Sequence, residues 1–498
     1  MEGREELPME AKRFSASLSE NVLLFHQAFD ASMDFVLREF EITGTKAALI
    51  TIDGLVNKQT IAQSILNPIL GAVTMQTDGA SKFRYIRDHA LATVEQLQLV
   101  DFADALDKLM AGFALLLIDG SAEILAFGVQ GFDFRSVSEP ENEATQRGSK
   151  EGFVEPYQVN ASMIRRRLRT PNLKFERMVI GSESNTAIAL CYLRGVVSEV
   201  LLQKIRTNIH KIDLKTVFAS GYLSPFLEKG GIFNDVGYTE RPDTVCGKIA
   251  EGRVAIIVDG TPNVLILPYL FIENFQSFDD YINRPYFATF TRWLKYFSFF
   301  LSMFLPGFYV AAVSFHPELI PETLLQKIVI AEASTPLPVL AEALLVTVLY
   351  EIMREAGLRV QKPLGHAVSI VGGLVIGESA VNAGIVGSLT LMVVALAALA
   401  SYATPKLYEA AGAMRVLFLL LGGFFGMWGI TLAFCAVLLS VCGKSVYGVP
   451  FTAPLSPFRL SAMRDVLIRA NWKTLSKHSA RVQNMPGTED QTTGENTK

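Results

Sequence analysis

Apolar and polar positions follow two patterns along the chain, and the change lies near residue 290. Before it, short apolar runs such as "AALITI", "ALLLI" and "RVAIIV" alternate with longer stretches of helical spacing such as "VEQLQLVDFADALDKLM". The short runs are typical of buried strands, and the longer spacing predicts amphipathic helices. The first 290 residues are therefore predicted to form a folded α/β region.

Two signatures recur inside this region. "ALITIDGLV" from Ala48 resembles "ALCYLRGVV" from Ala189, and "LLLIDGSAEILAF" from Leu115 resembles "AIIVDGTPNVLIL" from Ala255. The two offsets are 141 and 140 residues. Because independent pairs agree, we predict two copies of one α/β unit.

The second signature predicts a β-hairpin in each copy, since Asp-Gly between apolar runs is tight-turn chemistry. Asp119 and Asp259 are then turn residues, with a role as catalytic acids as the alternative reading. The sequence contains no GxGxxG, Walker-type, HExxH or GxSxG motif, and these are the usual motifs of nucleotide binding, metallohydrolysis and nucleophilic catalysis. We therefore expect no enzyme activity and no cofactor.

After residue 290 the pattern changes to long apolar runs, and half of the whole chain is hydrophobic with a mean hydropathy of +0.31. About twenty apolar residues suffice to cross a bilayer. Four stretches meet that length: "YFSFFLSMFLPGFYVAAVSFHP", "STPLPVLAEALLVTVLYEIM", "AGIVGSLTLMVVALAALASYATP" and "VLFLLLGGFFGMWGITLAFCAVLLSV". A fifth, glycine-rich stretch, "KPLGHAVSIVGGLVIGESAVNAGIVGS", occupies residues 362–388.

Counting lysines and arginines decides how these stretches are threaded, because cytoplasmic segments are enriched in them. The N-terminus lacks a signal-peptide pattern, so the α/β region is expected in the cytoplasm. Five full crossings would leave the basic C-terminal tail outside. We therefore predict four full spans with the glycine-rich stretch as a re-entrant or broken helix, which leaves Lys406 and Arg415 on the outer side.

Polar residues inside the apolar stretches are candidate pore or gating residues. Ser369, Gly373 and Gly377 recur every four positions, and Glu378 and Asn382 form a polar edge beside them. The glycines also fit simple close packing between helices. Intramembrane carboxylates are costly and usually face a pathway or a partner, so Glu378 and Glu342 are either buried, hydrogen-bonded carboxyls or cation-attracting groups.

Charge elsewhere is informative only locally. The net charge of −4 gives no reason to expect a nucleic-acid partner. The cluster Arg165, Arg166 and Arg167 in "MIRRRLRTPNLKFE" is either a solvated helix face or a docking surface for a partner or for anionic lipid.

These patterns divide the chain into six parts. They are a flexible N-terminal tail (1–29), a first cytoplasmic α/β subdomain (30–136), a connection (137–164), a second cytoplasmic α/β subdomain (165–290), a transmembrane domain (291–443), and a basic cytoplasmic tail (444–498) with a disordered end.

Several blocks resemble the A subunit of the GerA-type spore germinant receptors. The most specific are "EGRVAIIVDGTPNVLILPYLFIENFQSFDDYINRPYFATFTRW", "FLPGFYVAAVSFHPELIP" and "REAGLRVQKPLGHAVSIVGGLVIGESAVNAGIVG", with "QRGSKEGFVEPYQVNASMIRRRL" before the second subdomain. The similarity runs from about residue 30 to 455. The chain departs from it at Arg147–Gly152 and after the third span, and the paralogous stage V sporulation AF-type proteins share these blocks.

The resemblance implies a multi-pass protein of the spore inner membrane. Such a subunit assembles with a transporter-like B subunit and a lipoprotein C subunit, and forms a homo-oligomer, suspected to be a pentamer, that conducts monovalent cations in response to a nutrient. A non-conducting scaffold or assembly subunit is the alternative. A secondary transporter is a third hypothesis, disfavoured because the duplication lies in the soluble part.

Overall fold

The fold consists of two sheet-containing subdomains followed by a helical domain and a C-terminal segment. The computed structural model describes residues 13–30, 32–72, 78–90, 95–131, 140, 143, 145, 147–359, 375, 377–458, 460–475 and 481–489.

Subdomain 1 is a five-stranded antiparallel sheet in the order β1-β2-β4-β5-β3. Its strands are β1 (Phe35–Ile42), β2 (Thr45–Ile52), β3 (Gln96–Leu99), β4 (Phe113–Ile118) and β5 (Ile124–Gly128). Its helices are α1 (Leu18–Phe29), α2 (Lys58–Thr60), α3 (Asn67–Ala72), α4 (Gly79–Tyr85) and α5 (Phe102–Met110). A π-helical stretch, Ile61–Leu66, joins α2 to α3, and another, Ile86–Ala90, follows α4. Because alternate residues of the central strands enter two separate apolar clusters, helices cover both faces of the sheet.

Subdomain 2 repeats this sheet in the order β6-β7-β9-β10-β8. Its strands are β6 (Leu173–Ile180), β7 (Thr186–Leu193), β8 (Gly237–Thr239), β9 (Val254–Val258) and β10 (Val264–Leu267). Its helices are α6 (Tyr157–Arg167), α7 (Glu199–His210), α8 (Ser224–Leu227), α9 (Pro242–Ala250) and α10 (Asp279–Ile282), with 3₁₀ turns at Ser220–Tyr222 and Phe271–Phe275. The identical strand order confirms the predicted duplication.

The Asp-Gly signatures form the predicted hairpins, β4–β5 and β9–β10, with φ near +87° at Gly120 and +85° at Gly260. In both copies the aspartate also receives a hydrogen bond from the first residue of a helix. The Leu18 amide donates to Asp119 Oδ1 at 3.0 Å, and the Tyr157 amide donates to Asp259 Oδ1 at 3.1 Å. A carboxylate at a helix N-terminus stabilises the helix, so both aspartates hold α1 or α6 on its sheet.

The limits of both subdomains differ from the sequence-based division. Residues 18–29, assigned to the N-terminal tail, form α1, and its Phe25 and Phe29 are fully buried against the sheet. Subdomain 2 likewise includes the start of α6 at Tyr157. The apolar face of each helix belongs to the same core as its sheet, which a boundary drawn from charge and turn residues does not reveal.

A buried ion pair joins the two subdomains. Arg165, on α6, is fully buried, and its Nε and Nη2 donate to the two carboxylate oxygens of Asp34 at 2.6 and 2.9 Å. Nearby, Lys174 Nζ donates to the last carbonyls of α1, Ala28 O (2.8 Å) and Phe29 O. Burial lowers the pKa of Lys174 to about 8. A cation at a helix C-terminus is favourable, so α1 is fastened to subdomain 2 at this end.

The helical domain contains α11 (Pro285–Phe315), α12 (Glu322–Ala333), α13 (Val339–Arg359), α14 (Ser388–Ser401) and α15 (Tyr408–Cys442), with 3₁₀ turns at Pro317–Leu319 and Pro405–Leu407. Within the described residues, Pro285–Phe315 and Pro405–Cys442 are long and apolar enough to cross a membrane by length and composition. We call the end of the domain that packs on subdomain 2 the near end, and the opposite end, where α11 finishes at Phe315, the far end.

Helix α15 doubles back on itself at Gly426, whose φ of 60° and ψ of −147° are not helical. The ring of Phe304 packs against both Phe418 and Phe434, with centroids 4.4 and 5.4 Å away. In a straight helix those two residues would be about 24 Å apart. The predicted fourth span is therefore two antiparallel helical segments that meet at the far end, where Gly426 lies against Phe315.

This reversal corrects one part of the predicted threading. Lys406 Nζ lies 2.8 Å from Glu143, in the connection between the subdomains, so it lies at the near end and not on the outer side. Arg415 is fully buried, and its Nε donates to Ser302 O at 2.9 Å. The prediction counted the apolar run of α15 as one crossing. To keep the C-terminal tail inside, it then had to treat the glycine-rich stretch as re-entrant, which put Lys406 and Arg415 outside.

The C-terminal segment packs on subdomain 2 and on the base of α11. It contains β11 (Ser445–Val446), β12 (Val449–Pro450), α16 (Trp472–Leu475) and 3₁₀ turns at Leu460–Asp465 and Val482–Asn484. Arg292, buried on α11, lies 3.1 Å from Asp465 and 3.2 Å from Asp280. The described residues of 444–489, predicted as a tail, thus brace the junction between subdomain 2 and α11.

Replacing Arg165 with Met is expected to destabilise the contact between the subdomains by about 3 kcal/mol or more, because it leaves Asp34 charged and buried without its partner. Hydrogen–deuterium exchange of the purified full chain should show faster exchange in α1 and α6. Arg169→Met is the matched control, since Arg169 lies on the same segment but is exposed, and a surface change costs about 0.5 kcal/mol or less. Equal exchange in the two variants would contradict the assigned role of the ion pair.

Gly426→Ala is expected to lower the thermal stability of the purified chain, since a side chain at this combination of positive φ and extended ψ costs about 1–3 kcal/mol. The added Cβ would also lie 3.1 Å from the Phe315 ring. Gly412→Ala on the same helix is the control, because its Cβ would meet nothing closer than 4.0 Å and alanine favours a helix. If Gly426→Ala unfolds at the same temperature as Gly412→Ala, the reversal does not require glycine at position 426.

Candidate functional site

The predicted intramembrane carboxylate Glu342 lies where α11, α13 and α14 meet, towards the far end. It occupies the first turn of α13 and is 1% exposed. Its Oε2 accepts hydrogen bonds from the amide of Gly387 at 3.0 Å and from Thr390 Oγ1 at 3.1 Å. Gly387 is the N-cap of α14, so this carboxylate caps a neighbouring helix, where the positive end of the helix dipole favours a negative charge.

A hydroxyl chain continues from this carboxylate to α11. Tyr309 Oη lies 3.2 Å from Thr390 Oγ1. Because Thr390 uses its single proton on Glu342, Tyr309 is the donor in this second bond. The hydrogen bonds therefore run from Tyr309 to Thr390 and from Thr390 to Glu342. The Tyr309 oxygen keeps its lone pairs as acceptors.

The other oxygen of Glu342 has a different environment. Within the described part of the chain, Oε1 is buried without a hydrogen-bond partner, and the same holds for Oε1 of Glu332 near the end of α12. Burial, with a smaller contribution from the charge of Glu342, raises the pKa of the half-buried Glu332. An unpaired buried carboxylate oxygen is costly, so in the described part of the chain these two oxygens carry a desolvation cost without a compensating hydrogen bond.

A second polar cluster lies at the near end of α13. Tyr408 Oη donates to Glu351 at 2.8 Å, and the guanidinium of Arg354 lies 3.9 Å from the centre of the Tyr408 ring. Arg415 Nη1 is 3.7 Å from Glu351 Oε1. Helix α13 therefore carries a carboxylate near each end, one capped by a helix N-terminus and one surrounded by cations.

The remaining predicted pore residues divide into two groups. Gly377, Glu378 and Asn382 lie on a helical stretch, residues 377–382, while Ser369 and Gly373 lie outside the described residues. A Cβ at Gly377 would contact Leu391 of α14 at 3.4 Å, which fits a packing contact. Glu378 and Asn382 are exposed in the single chain. Their role as pore or gating residues stays a prediction.

The three arginines predicted as a docking surface all have partners within the chain. Arg165 forms the buried pair with Asp34, and Arg166 and Arg167 both pair with Glu151. Partial burial would raise the pKa of the Glu151 carboxyl, but its hydrogen bonds from Arg166 and Arg167 outweigh this and leave the pKa lowered. A fully buried Arg165 is not available to a lipid headgroup. Docking through Arg166 and Arg167 stays a prediction.

Sequence reasoning identified Glu342 but missed its neighbours Tyr309, Glu332, Gly387 and Thr390. Each is separated from Glu342 by 10 to 48 residues along the chain. A single hydroxyl residue in an apolar stretch can bond a carbonyl of its own helix instead of a neighbouring helix. The only local signal was the occurrence of Thr390 and Tyr309 in otherwise apolar segments.

Comparison with known proteins places this arrangement in a family. The family model described as Bacillus/Clostridium GerA spore germination protein matches residues 24–480. Spore germination protein KA of Bacillus subtilis (strain 168) is 39% identical over 465 residues, which cover 92% of this chain and 85% of that protein. The uncharacterized membrane protein YfkQ of the same organism is 34% identical over 473 residues, which cover 93% of this chain and 91% of that protein.

Similarity extends to a solved structure. It is the crystal structure of the N-terminal domain of the A subunit of the Bacillus megaterium spore germinant receptor GerK3, with 30% identity and a TM-score of 0.42, covering 52% of this chain and 98% of that chain. The family match and the relatives' sequences extend well beyond that domain into the helical part. On those two findings the chain belongs to the Bacillus/Clostridium GerA family of spore germination proteins.

Proposed function

We propose that the chain is the A-type subunit of a nutrient-responsive spore germinant receptor. In this proposal it assembles with a transporter-like B subunit and a lipoprotein C subunit in the spore inner membrane, and oligomerises into a ligand-gated channel for monovalent cations. The observation that carries the proposal is membership of the GerA family along residues 24–480, sheets and helical domain together.

The helical domain supports the channel part of the proposal. One chain packs tightly along α11, since a Cβ at Gly422 would lie 2.6 Å from Gly307 O. No path runs between α11 and α15 at this contact, and the proposal puts the conducting path between subunits. The exposed Glu378 and Asn382 are then available to line it, because exposed carboxylates and amides attract cations.

The sheet subdomains support the gating part. The connection contacts the start of α15 through Glu143 with Lys406, and Glu143 also accepts from the Glu240 amide of subdomain 2, while Asp235 of subdomain 2 pairs with Lys444 at 3.2 Å. Both lysines flank α15, one before its first segment and one after its second. A displacement of subdomain 2 would thus act on both ends of the doubled-back helix.

The test is nutrient-dependent cation flux in vesicles or vegetative cells that contain the chain with its B and C subunits. Glu378→Gln combined with Asn382→Ala should reduce the flux several-fold, because the change removes a negative charge and an amide from the proposed path. Glu355→Gln is the matched control, since Glu355 is exposed at the near end of α13 and pairs only with Arg359 in the described part of the chain.

Two results would count against the proposal in different ways. Unchanged flux in the double variant would remove Glu378 and Asn382 from the path while leaving the channel in place. A complete lack of nutrient-dependent flux in the unmodified receptor, with all three subunits present in the membrane, would favour the alternative of a non-conducting scaffold or assembly subunit.

A further inference from the structure

All three tryptophans of the chain lie near one end or the other of the helical domain, and all three are exposed. Trp428 follows the reversal at Gly426, which lies against Phe315 at the far end. Trp293 and Trp472 lie at the near end, the first on α11 and the second in the C-terminal segment. Trp293 is about 33 Å from Phe315 along the axis of α11. Since a hydrocarbon core is about 30 Å thick and tryptophan gathers at its two interfaces, the tryptophans mark both interfaces.

Helix α11 extends past the near interface and stays apolar there. Its 31 residues span about 46 Å, which exceeds the core. The side chains that recur every three or four positions at its base are aromatic, and each is more than half exposed: Tyr286, Phe290, Trp293 and Phe297. Residues at this spacing lie on one face of a helix, so α11 displays one aromatic stripe from the core into the headgroup layer.

The C-terminal segment lies beside this base of α11. Tyr296 Oη donates to Val466 O at 3.0 Å, and the Arg469 amide donates to Thr289 Oγ1 at 3.1 Å. Ile468 lies between these two contacts and is 62% exposed. The segment therefore displays an apolar side chain at the same level as the aromatic stripe.

Trp472 is exposed but held in place. Its Nε1 donates to Tyr281 O at 3.1 Å, and the guanidinium of the buried Arg469 lies 4.8 Å from the centre of its ring. Because the indole N–H already has an acceptor inside the chain, the exposed part of Trp472 is its apolar ring. A ring fixed in this way is unfavourable in water, whereas the bilayer interface stabilises it.

Cations flank the same surface along the chain. Three of them are exposed: Arg284, which is the N-cap of α11, Arg464 and Lys473. Two acids close to them in sequence, Asp280 and Asp465, already pair with the buried Arg292. Lysine and arginine at a membrane surface attract anionic headgroups, so the charges and the apolar side chains fit the same partner.

We propose that the base of α11 and residues 466–473 form one surface that lies in the headgroup layer of the bilayer and binds anionic phospholipid. Ile468 and Trp472 enter this layer, and the three flanking cations meet lipid phosphates. The C-terminal segment, predicted as a cytoplasmic tail, is then a second membrane contact that fixes subdomain 2 at the bilayer surface. This inference rests on the membrane placement of the helical domain in the proposed function.

Fluorescence quenching by labelled lipids measures the depth of each tryptophan separately. The purified full chain is reconstituted into vesicles of equal parts phosphatidylcholine and phosphatidylglycerol, with a quencher on the lipid headgroup or at the end of the acyl chain. Three variants each keep one tryptophan and have phenylalanine at the other two positions. We expect headgroup-labelled lipid to remove most of the emission of Trp472 and of Trp293, and chain-end-labelled lipid to remove little of it.

A tryptophan in subdomain 1 is the control. Leu23 is exposed on α1, so Leu23→Trp, with phenylalanine at the three native tryptophan positions, should respond to neither lipid. In vesicles of phosphatidylcholine alone, the quenching of Trp472 should fall, whereas Trp293, fixed by its helix, should keep it. If the variants with several replacements do not fold, comparing the unmodified chain with Trp472→Phe alone gives the contribution of Trp472.

The possible failures are distinguishable. Trp472 quenched no more than the Leu23→Trp control, with Trp293 and Trp428 both quenched, would overturn the inference and leave the membrane placement standing. An unquenched Trp472 that is also shielded from acrylamide in the water would overturn it in favour of a second copy or another protein. Equal quenching of Trp472 with and without phosphatidylglycerol would overturn the role of anionic lipid. No quenching of Trp293 or Trp428 by either lipid would count against the membrane placement in the proposed function.

Discussion

The close contact between α11 and the doubled-back α15 is the constraint on which the helical domain depends. Two glycines, Gly307 and Gly422, allow backbone to meet backbone, because a Cβ on either would overlap main-chain atoms of the other helix. Small residues are the usual means by which membrane-embedded helices approach so closely. With this contact in place, the reversal at Gly426 carries the chain back to the near end, and both ends of α15 meet subdomain 2.

Ion pairs at the near end then join the helical domain to the sheets. Lys406, Lys444 and Arg292 pair with Glu143, Asp235 and Asp280, and Arg165 pairs with Asp34 between the two subdomains. Such pairs are costly to break when buried, since each leaves an uncompensated charge. The chain therefore has a continuous series of polar connections from subdomain 1 to the base of the helices, which is a physical route for coupling and not by itself evidence of a signal.

The two copies of the duplicated unit share their internal structure but differ in what they contact. Both copies keep the strand order, the positive-φ turn and an aspartate that binds the N-terminus of the helix opening that copy. The outer faces differ, because one face of the second sheet shares an apolar cluster with Phe299, Met303 and Phe418 of the helical domain. Subdomain 2 thus forms the junction with the helices, and subdomain 1 is attached through it by Arg165 and Lys174.

The sequence by itself determined the parts of this protein whose cause is local. Asp-Gly between apolar runs specified both hairpins, the repeated signatures specified two copies of one sheet, and the long apolar runs specified a helical domain with carboxylates inside it. Only the tertiary structure decided where Arg165 lies, where the apolar run of α15 turns, and what surrounds Glu342. Two apolar segments joined by one glycine have the same hydropathy as one long helix. The pairing of Arg165 with Asp34, 131 residues away, or of Glu342 with Thr390, 48 residues away, leaves no trace in local periodicity, because it depends on which elements pack together.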